Sequence, residues 1–589
     1  MSRKNTDKII FDHIKVLDAG AKGVSVAKAP DGKVIFIPNV VPGDVVDVQT
    51  FKKRKAYYEG KAIRFHEFSE HRIKPICEHF GVCGDCKWQN MNYAQQLFYK
   101  QNEVKNHLQR IGKIELPEFE PILGSEKQFF YRNKMEFGFS NSRWLTEKEI
   151  ESTEDLGNRN ALGFHIPKMW DKILDITKCH LQADPSNAIR NEIRDFANQH
   201  NLAFFDPRNH EGLLRTLMIR TASTGEIMVL VQFFKEDKAA RELLLDHLFE
   251  TFPNITSLQY VINGKPNDTI YDQNIKLYKG RDYILEEMEG LQFSINAKSF
   301  YQTNSEQAYE LYKITREFAG LTGNEIVYDL YTGTGTIAQF VSKKAKKVIG
   351  VESVPEAILD AKENAKRNNI TNCEFFVGDM KVVFNESFIA QHGHPDVIIT
   401  DPPRDGMHKD VVEQILKIAP EKVVYVSCNS ATQARDLALM DEQYQVTRVR
   451  PVDMFPQTNV LCSDTVSALY PDNLKAIGIA FFIMPKQVMQ PSFESATTLV
   501  MASESSRIND SVSVAVVCIT NSPVPFLSEN MRTILFLKKS RIHFTPIILR
   551  KSPISFSGPM RGYLLPDAGL QATPSAKRRS PYSIICSSV

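Results

Sequence analysis

The sequence predicts an α/β protein built on an open, mostly parallel sheet, with a small OB-like β-barrel before it and a central α+β region between the two. Three observations predict this. From residue 291 to 474, apolar runs such as "EIVYDLY", "KKVIGVE", "DVIITDPP" and "KVVYVSC" alternate with helical stretches, as strands covered on both faces do. The first of these strands runs into the turn "TGTG" and then a helix, a Rossmann-like arrangement. Residues 8–67 instead read as short alternating strands separated by turns.

In the barrel, "GVSVAKAPDGKVIFIP" alternates apolar and polar positions around Asp31-Gly32, a hairpin signal. Lys52, Lys53, Arg54 and Lys55 then fall at one rim, near Tyr57 and Tyr58. Basic and aromatic residues together suit RNA contact, and a solvated loop explains the charges equally well. A helical pattern covers Tyr93 to Gly112. Residues 68–290 form the cysteine-bearing segment and the central region, with strands at "KMEFGFS", "LRTLMIRTAS" and "EIMVLVQFF". From 475 to 589 the chain turns Ser- and Pro-rich, with 13 Lys+Arg against 5 Asp+Glu and no steady period. This atypical tail is expected to be poorly ordered.

At 589 residues, with 42% hydrophobic and 24% charged residues, the chain has material for three or four domains. A formal net charge of +2 requires any nucleic-acid surface to be local. No apolar run approaches the roughly 20 residues of a membrane helix, and "MSRKNTDKII" lacks a signal-peptide core. A cytoplasmic, monomeric protein is expected.

The chemistry gathers at strand ends. Gly333 and Gly335 let the backbone approach a ligand, and the following helix starts at Thr336. The next strand ends in Glu352, where a carboxylate can accept hydrogen bonds from ribose hydroxyls. Asp379 in "FVGDM" ends a third strand, and the three ends together suit an adenosine-containing ligand. In "TDPPRDGM", Pro402 and Pro403 stiffen the exit of a strand and fix Asp401 and Arg404. "VVYVSCNSAT" places Cys428 at a strand end beside polar residues, a better position for a nucleophile than for a core cysteine.

A second cysteine set has another character. Cys77, Cys83 and Cys86 are spaced C-x5-C-x2-C, and Cys179 in "DITKCHLQ" offers a fourth sulfur. In an odd total of nine cysteines, such a cluster reads as metal ligation before disulfides. Four thiolates suit zinc and an iron–sulfur cluster equally.

The ordered elements "SFYQTN", "DLYTGTG", "VGVE", "TDPPR", "VSCN" and "DMFPQT" resemble the RNA uracil-C5 methyltransferase family, over about Lys8 to Asn459. The resemblance implies S-adenosylmethionine as methyl donor, surrounded by Gln302, Tyr331, Thr336, Glu352, Asp379 and Asp401, with Cys428 as the covalent nucleophile. It implies that the barrel is a TRAM domain, and that Cys77, Cys83, Cys86 and Cys179 hold a [4Fe-4S] cluster as in the branch that methylates 23S ribosomal RNA. A tRNA substrate, or a catalytically impaired RNA-binding protein of this fold, are the alternatives. "YRNKMEFGFS" also matches, making Arg132 and Lys134 candidates for phosphate contact or simply charged strand residues.

One departure bears on mechanism. The family continues "DMFPQT" with a strand carrying a glutamate that serves as the proton-abstracting base. Here "DMFPQTNVLCSDTVSALYPDN" has Cys462 at that count, and Asp464 reaches it only after a two-residue insertion. A change of reading frame just after Asn459 would explain both the missing glutamate and the atypical tail.

Overall fold

In the computed structural model the first five strands close on themselves. β1 (Ile10–Ala19), β2 (Val24–Lys28), β3 (Val34–Pro38), β4 (Val45–Lys53) and β5 (Tyr57–Glu67) form a barrel in the order β1-β2-β3-β5-β4. Alternation fills it: Val16, Ala27, Ile35, Ile37, Val46 and Val48 point inward. The turn at Asp31-Gly32 joins β2 to β3, and exposed Lys53, Arg54 and Lys55 sit at the β4–β5 rim, where the sequence puts them. The structure describes residues 9–151, 157–458 and 463–471, together with three short strands further on.

The cysteine segment leads into α1 (Tyr93–His107), capped by Asn92 and extended by one wide turn over Leu108–Gly112. The central region is a seven-stranded sheet ordered β12-β11-β10-β9-β6-β7-β8. Its strands are β6 (Lys134–Ser140), β7 (Ala161–Ile166), β8 (Met169–Asp175), β9 (Leu214–Thr221), β10 (Ile227–Phe233), β11 (Ile255–Ile262) and β12 (Lys276–Gly280). Short α2 (Glu147–Glu151) precedes β7, while α3 (Ser186–Gln199) and α4 (Lys238–Thr251) supply Ile189, Ile193, Leu244 and Leu248 to the core against that sheet. The boundary expected at residue 290 falls in the turn of a hairpin, β13 (Tyr283–Met288) with β14 (Leu291–Asn296).

The last large sheet has the order β17-β16-β15-β18-β19-β21-β20. After α5 (Ser305–Ala319), β15 (Ile326–Leu330), α6 (Thr336–Ser342), β16 (Lys347–Glu352), α7 (Pro355–Arg367), β17 (Cys373–Val377), α8 (Met380–Val383), α9 (Glu386–His392), β18 (Val397–Thr400), α10 (Lys409–Ile418), β19 (Lys422–Ser427) and α11 (Ser430–Met440) alternate in turn. Successive residues of one strand feed opposite cores: Val327 and Ile399 pack on one face, Tyr328, Leu330 and Ile398 on the other. This double burial is why these strands read as unbroken apolar runs. The strand order reverses between β15 and β18, which opens a crevice at their carboxyl ends.

β20 (Tyr444–Asp453) and β21 (Ser463–Pro471) complete the sheet, with β21 antiparallel to both β19 and β20. Thr465 to Leu469 are buried, with Val466 and Ala468 in one core and Leu469 in the other. The described chain after Asn459 thus contributes to both cores of the sheet as far as Leu469. Residues 1–476 form one compact unit and 477–589 a second, whose described part is an antiparallel sheet of β22 (Leu499–Glu504), β23 (Val514–Ile519) and β24 (Ile534–Leu537). The rest of the tail expected to be poorly ordered lies outside the described residues.

Candidate active site

The turn after β15 is held open by three backbones in the left-handed region: Tyr331 at φ 65°, Gly333 at 54° and Gly335 at 76°. A side chain on Gly333 would meet nothing within 4 Å, so this backbone faces open space. Gly335 is tightly packed instead: a Cβ there would lie 2.9 Å from the Phe375 ring and 3.0 Å from Ala361. Beneath the turn is an acid that sequence reasoning missed. Asp329 is fully buried, and its Oδ2 accepts from Thr332 Oγ1 at 2.6 Å and from the Ala338 amide at 3.0 Å. Its Oδ1 has no hydrogen-bond partner, and burial pushes the carboxyl up to about 7. The available signal was an aspartate inside the apolar run "VYDLY".

Glu352 lies at the end of β16, next to that turn. Its Oε2 accepts from the Gly333 amide at 3.2 Å, while Oε1 accepts from Ser353 and Val354 amides. Exposed Asp379 caps α8 by accepting from the Lys381 amide at 2.9 Å. Gln302 sits in a loop whose carbonyl accepts from Asn133 Nδ2 at 2.9 Å, and Ser299 of that loop donates to Asp360 on α7 at 2.8 Å. Burial raises the Tyr331 hydroxyl to about 12.

Across the reversal point, the Asp401 amide donates to the Leu330 carbonyl at 3.3 Å, so the exits of β18 and β15 adjoin. Burial, followed by the charge of Asp329, pushes the Asp401 carboxyl up to about 7. Cys428 occupies the single position between β19 and the Asn429 cap of α11. Asn429 Nδ2 and Thr432 Oγ1 both donate to the Arg404 carbonyl, at 2.9 and 3.1 Å, and so tie the Pro402-Pro403 turn to the cysteine's turn. Asp401, Tyr331, Thr336, Glu352 and Cys428 thus lie along one edge of one sheet.

The loop 453–458 is gripped by parts of the chain distant in sequence. Lys100 Nζ donates to Asp453 Oδ1 at 2.6 Å and to the Phe455 carbonyl at 3.0 Å, and the Tyr93 hydroxyl donates to Asp453 Oδ2 at 2.8 Å. Gln96 exchanges hydrogen bonds with Gln457, and the Tyr131 hydroxyl donates to the Pro456 carbonyl. Further along α1, His107 Nδ1 lies 2.9 Å from Ser430 Oγ, two residues after Cys428. Residues 93, 96, 100 and 107 form a polar helical stripe, the signal that could have marked this contact. Asp464 faces Val452 in the β20–β21 ladder by its backbone, its side chain lying outside the described atoms, as does Cys462.

Cys77, Cys83, Cys86 and Cys179 all line one cavity, with His79, Asp85 and His180. Burial pushes the Cys86 thiol up to about 12 and raises the other three as well. Among the described residues, no three ligand groups of this cavity approach within 4.8 Å of one another. Arg132 turns toward this segment, with its buried Nε unpartnered and its guanidinium 5.5 Å from the Phe455 ring. Lys134 pairs with Glu136 at 2.5 Å, which favours the charged-strand reading for it.

An open sheet in this order, with a glycine turn after its first strand and acids at the following strand ends, defines a class I S-adenosylmethionine-dependent methyltransferase. Residues 272–466 match the family described as tRNA (Uracil-5-)-methyltransferase, a match that runs past Asn459. The chain is 58% identical over 442 residues to an uncharacterized RNA methyltransferase of Bacteroides thetaiotaomicron, covering 74% of this chain and 97% of that protein. It is 55% identical over 453 residues to one from Porphyromonas gingivalis, covering 76% and 97% respectively. Among solved structures, the Pyrococcus abyssi tRNA (uracil-54, C5)-methyltransferase in complex with S-adenosyl-L-homocysteine aligns with a TM-score of 0.60 at 25% identity, over 78% of this chain and 99% of that one. The chain belongs to the RNA uracil-5-methyltransferase family and is an S-adenosylmethionine-dependent enzyme. No helix among the described residues is long and apolar enough to cross a membrane.

Proposed function

We propose that this enzyme methylates carbon 5 of a 23S ribosomal RNA uridine through a covalent adduct of Cys428 with carbon 6 of the base. The observation that carries the reading is the position of Cys428 between β19 and α11, tied through Asn429 to the Arg404 turn on the edge that holds the glycine turn. Carbon 5 of uracil is a weak nucleophile. Addition of the Cys428 thiolate to carbon 6 moves electron density onto carbon 5, which takes the methyl group that bound S-adenosylmethionine supplies. Loss of the carbon-5 proton to a base then lets the thiolate leave and restores the ring. Gln302, Tyr331, Thr336, Glu352, Asp379 and Asp401 are the residues we assign around the methyl donor. The target base must leave its stack to reach this edge.

Cys77, Cys83, Cys86 and Cys179 fit a [4Fe-4S] cluster. They share one cavity, and the C-x5-C-x2-C spacing with a distant fourth cysteine matches the cluster-bearing branch that the sequence resembles. These four residues would ligate the cluster through thiolates, and its part here is to order the surrounding segment, since methyl transfer moves no electrons. A tRNA substrate is the second reading, favoured by the likeness to the Pyrococcus abyssi enzyme, which acts on uracil 54 of tRNA. Transcripts of 23S ribosomal RNA and of tRNA, compared for methyl uptake, separate the two.

The test of the chemistry uses RNA containing 5-fluorouridine, whose carbon 5 carries no removable proton. Incubation with S-adenosylmethionine should trap a denaturant-stable protein–RNA complex, lost in Cys428→Ser. Absence of a complex with the intact cysteine would leave an RNA-binding protein without this chemistry. A trapped complex without turnover on ordinary uridine RNA would instead identify an enzyme whose base is impaired.

A further inference from the structure

The barrel carries a ligand set unrelated to the methyl-transfer edge. On β4, Val46 and Val48 point into the barrel core, so Asp47 between them points out. On one side of it, Phe11 pairs with Val48 and Ile14 with Val46, so β1 has one residue more than β4 and bulges around Asp12-His13. On the other side, Val46 pairs with Phe65 and Val45 with Glu67, which makes His66 the extra residue of a second bulge, on β5. Bulges re-aim side chains that a regular ladder would direct elsewhere. Here both deliver an imidazole to the same carboxylate. His66 Nε2 is 2.6 Å from Asp47 Oδ1, and the His13 ring stacks on that of His66 with centroids 3.8 Å apart. His13 adopts a left-handed φ of 52°, and its amide donates to the same Asp47 Oδ1 at 2.9 Å. The ligand atoms of all three residues lie within 4.8 Å of one another, a grouping met nowhere else among the described residues.

We propose that His13, Asp47 and His66 bind a divalent transition-metal ion on the outer wall of the barrel. Two imidazoles and one carboxylate suit zinc, cobalt or nickel better than magnesium or calcium, which prefer all-oxygen sets. Each neutral imidazole binds the ion through one nitrogen and carries its single proton on the other, so binding releases no ring proton. Three protein ligands leave at least one coordination position to solvent, on the side where His13 is exposed. Bound there, the ion cross-links β1, β4 and β5.

Cobalt(II) is the probe, added to full-length protein whose cysteine site is already loaded. One further equivalent should bind, with ligand-field absorption and no thiolate-to-cobalt charge-transfer band, and it should raise the melting temperature. His13→Ala and His66→Gln should each abolish that equivalent and the thermal shift. Uptake unchanged in both variants, no extra equivalent, or a thiolate charge-transfer band as the only signal would each overturn the assignment. Circular dichroism of the metal-free variants checks that the barrel still folds.

Discussion

Thr458 and Cys86 face each other in an antiparallel bridge, so the segment bearing three of the four clustered cysteines is hydrogen-bonded to the loop that leaves β20. The amides of Lys87 and Trp88 both donate to the Gln457 carbonyl at 3.1 Å. Whatever orders the cysteines therefore also orders residues 453–458. Removing the cluster proposed for these cysteines should speed amide exchange there by about tenfold, the effect of losing one or two bonds worth about 1 kcal/mol each. Hydrogen-exchange mass spectrometry of loaded and stripped protein measures it. Unchanged exchange at 453–458 would show that the two segments are independent.

The Lys100–Asp453 pair is the buried anchor of the same loop, with side chains 4% and 0% exposed. Replacing Lys100 by Met leaves the Asp453 carboxylate with the Tyr93 hydroxyl and the Phe455 amide, and no cation. Removing one partner of such a pair costs about 3–5 kcal/mol. Urea denaturation of Lys100→Met should show a loss of that order, and Lys100→Met with Asp453→Asn should recover part of it.

How far the sequence reveals this architecture depends on whether the cause is local. The strands of the last sheet are legible because both their faces are buried, which leaves runs such as "VVYVS" with no polar alternation. The glycine turn, Glu352 and Cys428 are legible because each sits next to a strand end. The grip of α1 on Asp453 joins residues far apart in the chain, with |i−j| of 353 for Lys100, and no local pattern encodes the partner. The bulges that turn His13 and His66 toward Asp47 are equally hidden, because a one-residue register shift leaves the apolar alternation on either side intact.

Gly333 and Gly335 should respond differently to alanine. Both need a left-handed backbone, which costs a residue with a Cβ about 1–2 kcal/mol. At Gly333 that is the whole structural cost, since the space beyond is open. At Gly335 the methyl would also press on Phe375 and Ala361, adding an overpacking penalty of about 1–3 kcal/mol. Gly335→Ala should therefore be the less stable protein by denaturant melt. Gly333→Ala should stay folded and lose S-adenosylmethionine affinity, measured by calorimetry, because its methyl enters the assigned donor space.

Asp329 and Asp401 give stability and donor binding opposite pH dependences. Both carboxyls are pushed up to about 7 by burial, against about 3.9 for an aspartate in the unfolded chain. The folded protein thus holds protons that the unfolded chain has released. Their contribution to stability is fully present below about pH 4 and is lost as pH rises through about 7. Ligand binding runs the other way. S-adenosylmethionine carries a sulfonium and an ammonium, and the assigned position of Asp401 beside it favours the ionised carboxylate. Affinity should rise with pH, by at most about tenfold per unit below 7, and level off above it. Calorimetry at pH 6, 7 and 8 measures the rise, and Asp401→Asn should flatten it. A pH-independent affinity in the parent enzyme would place Asp401 away from the donor's positive charge.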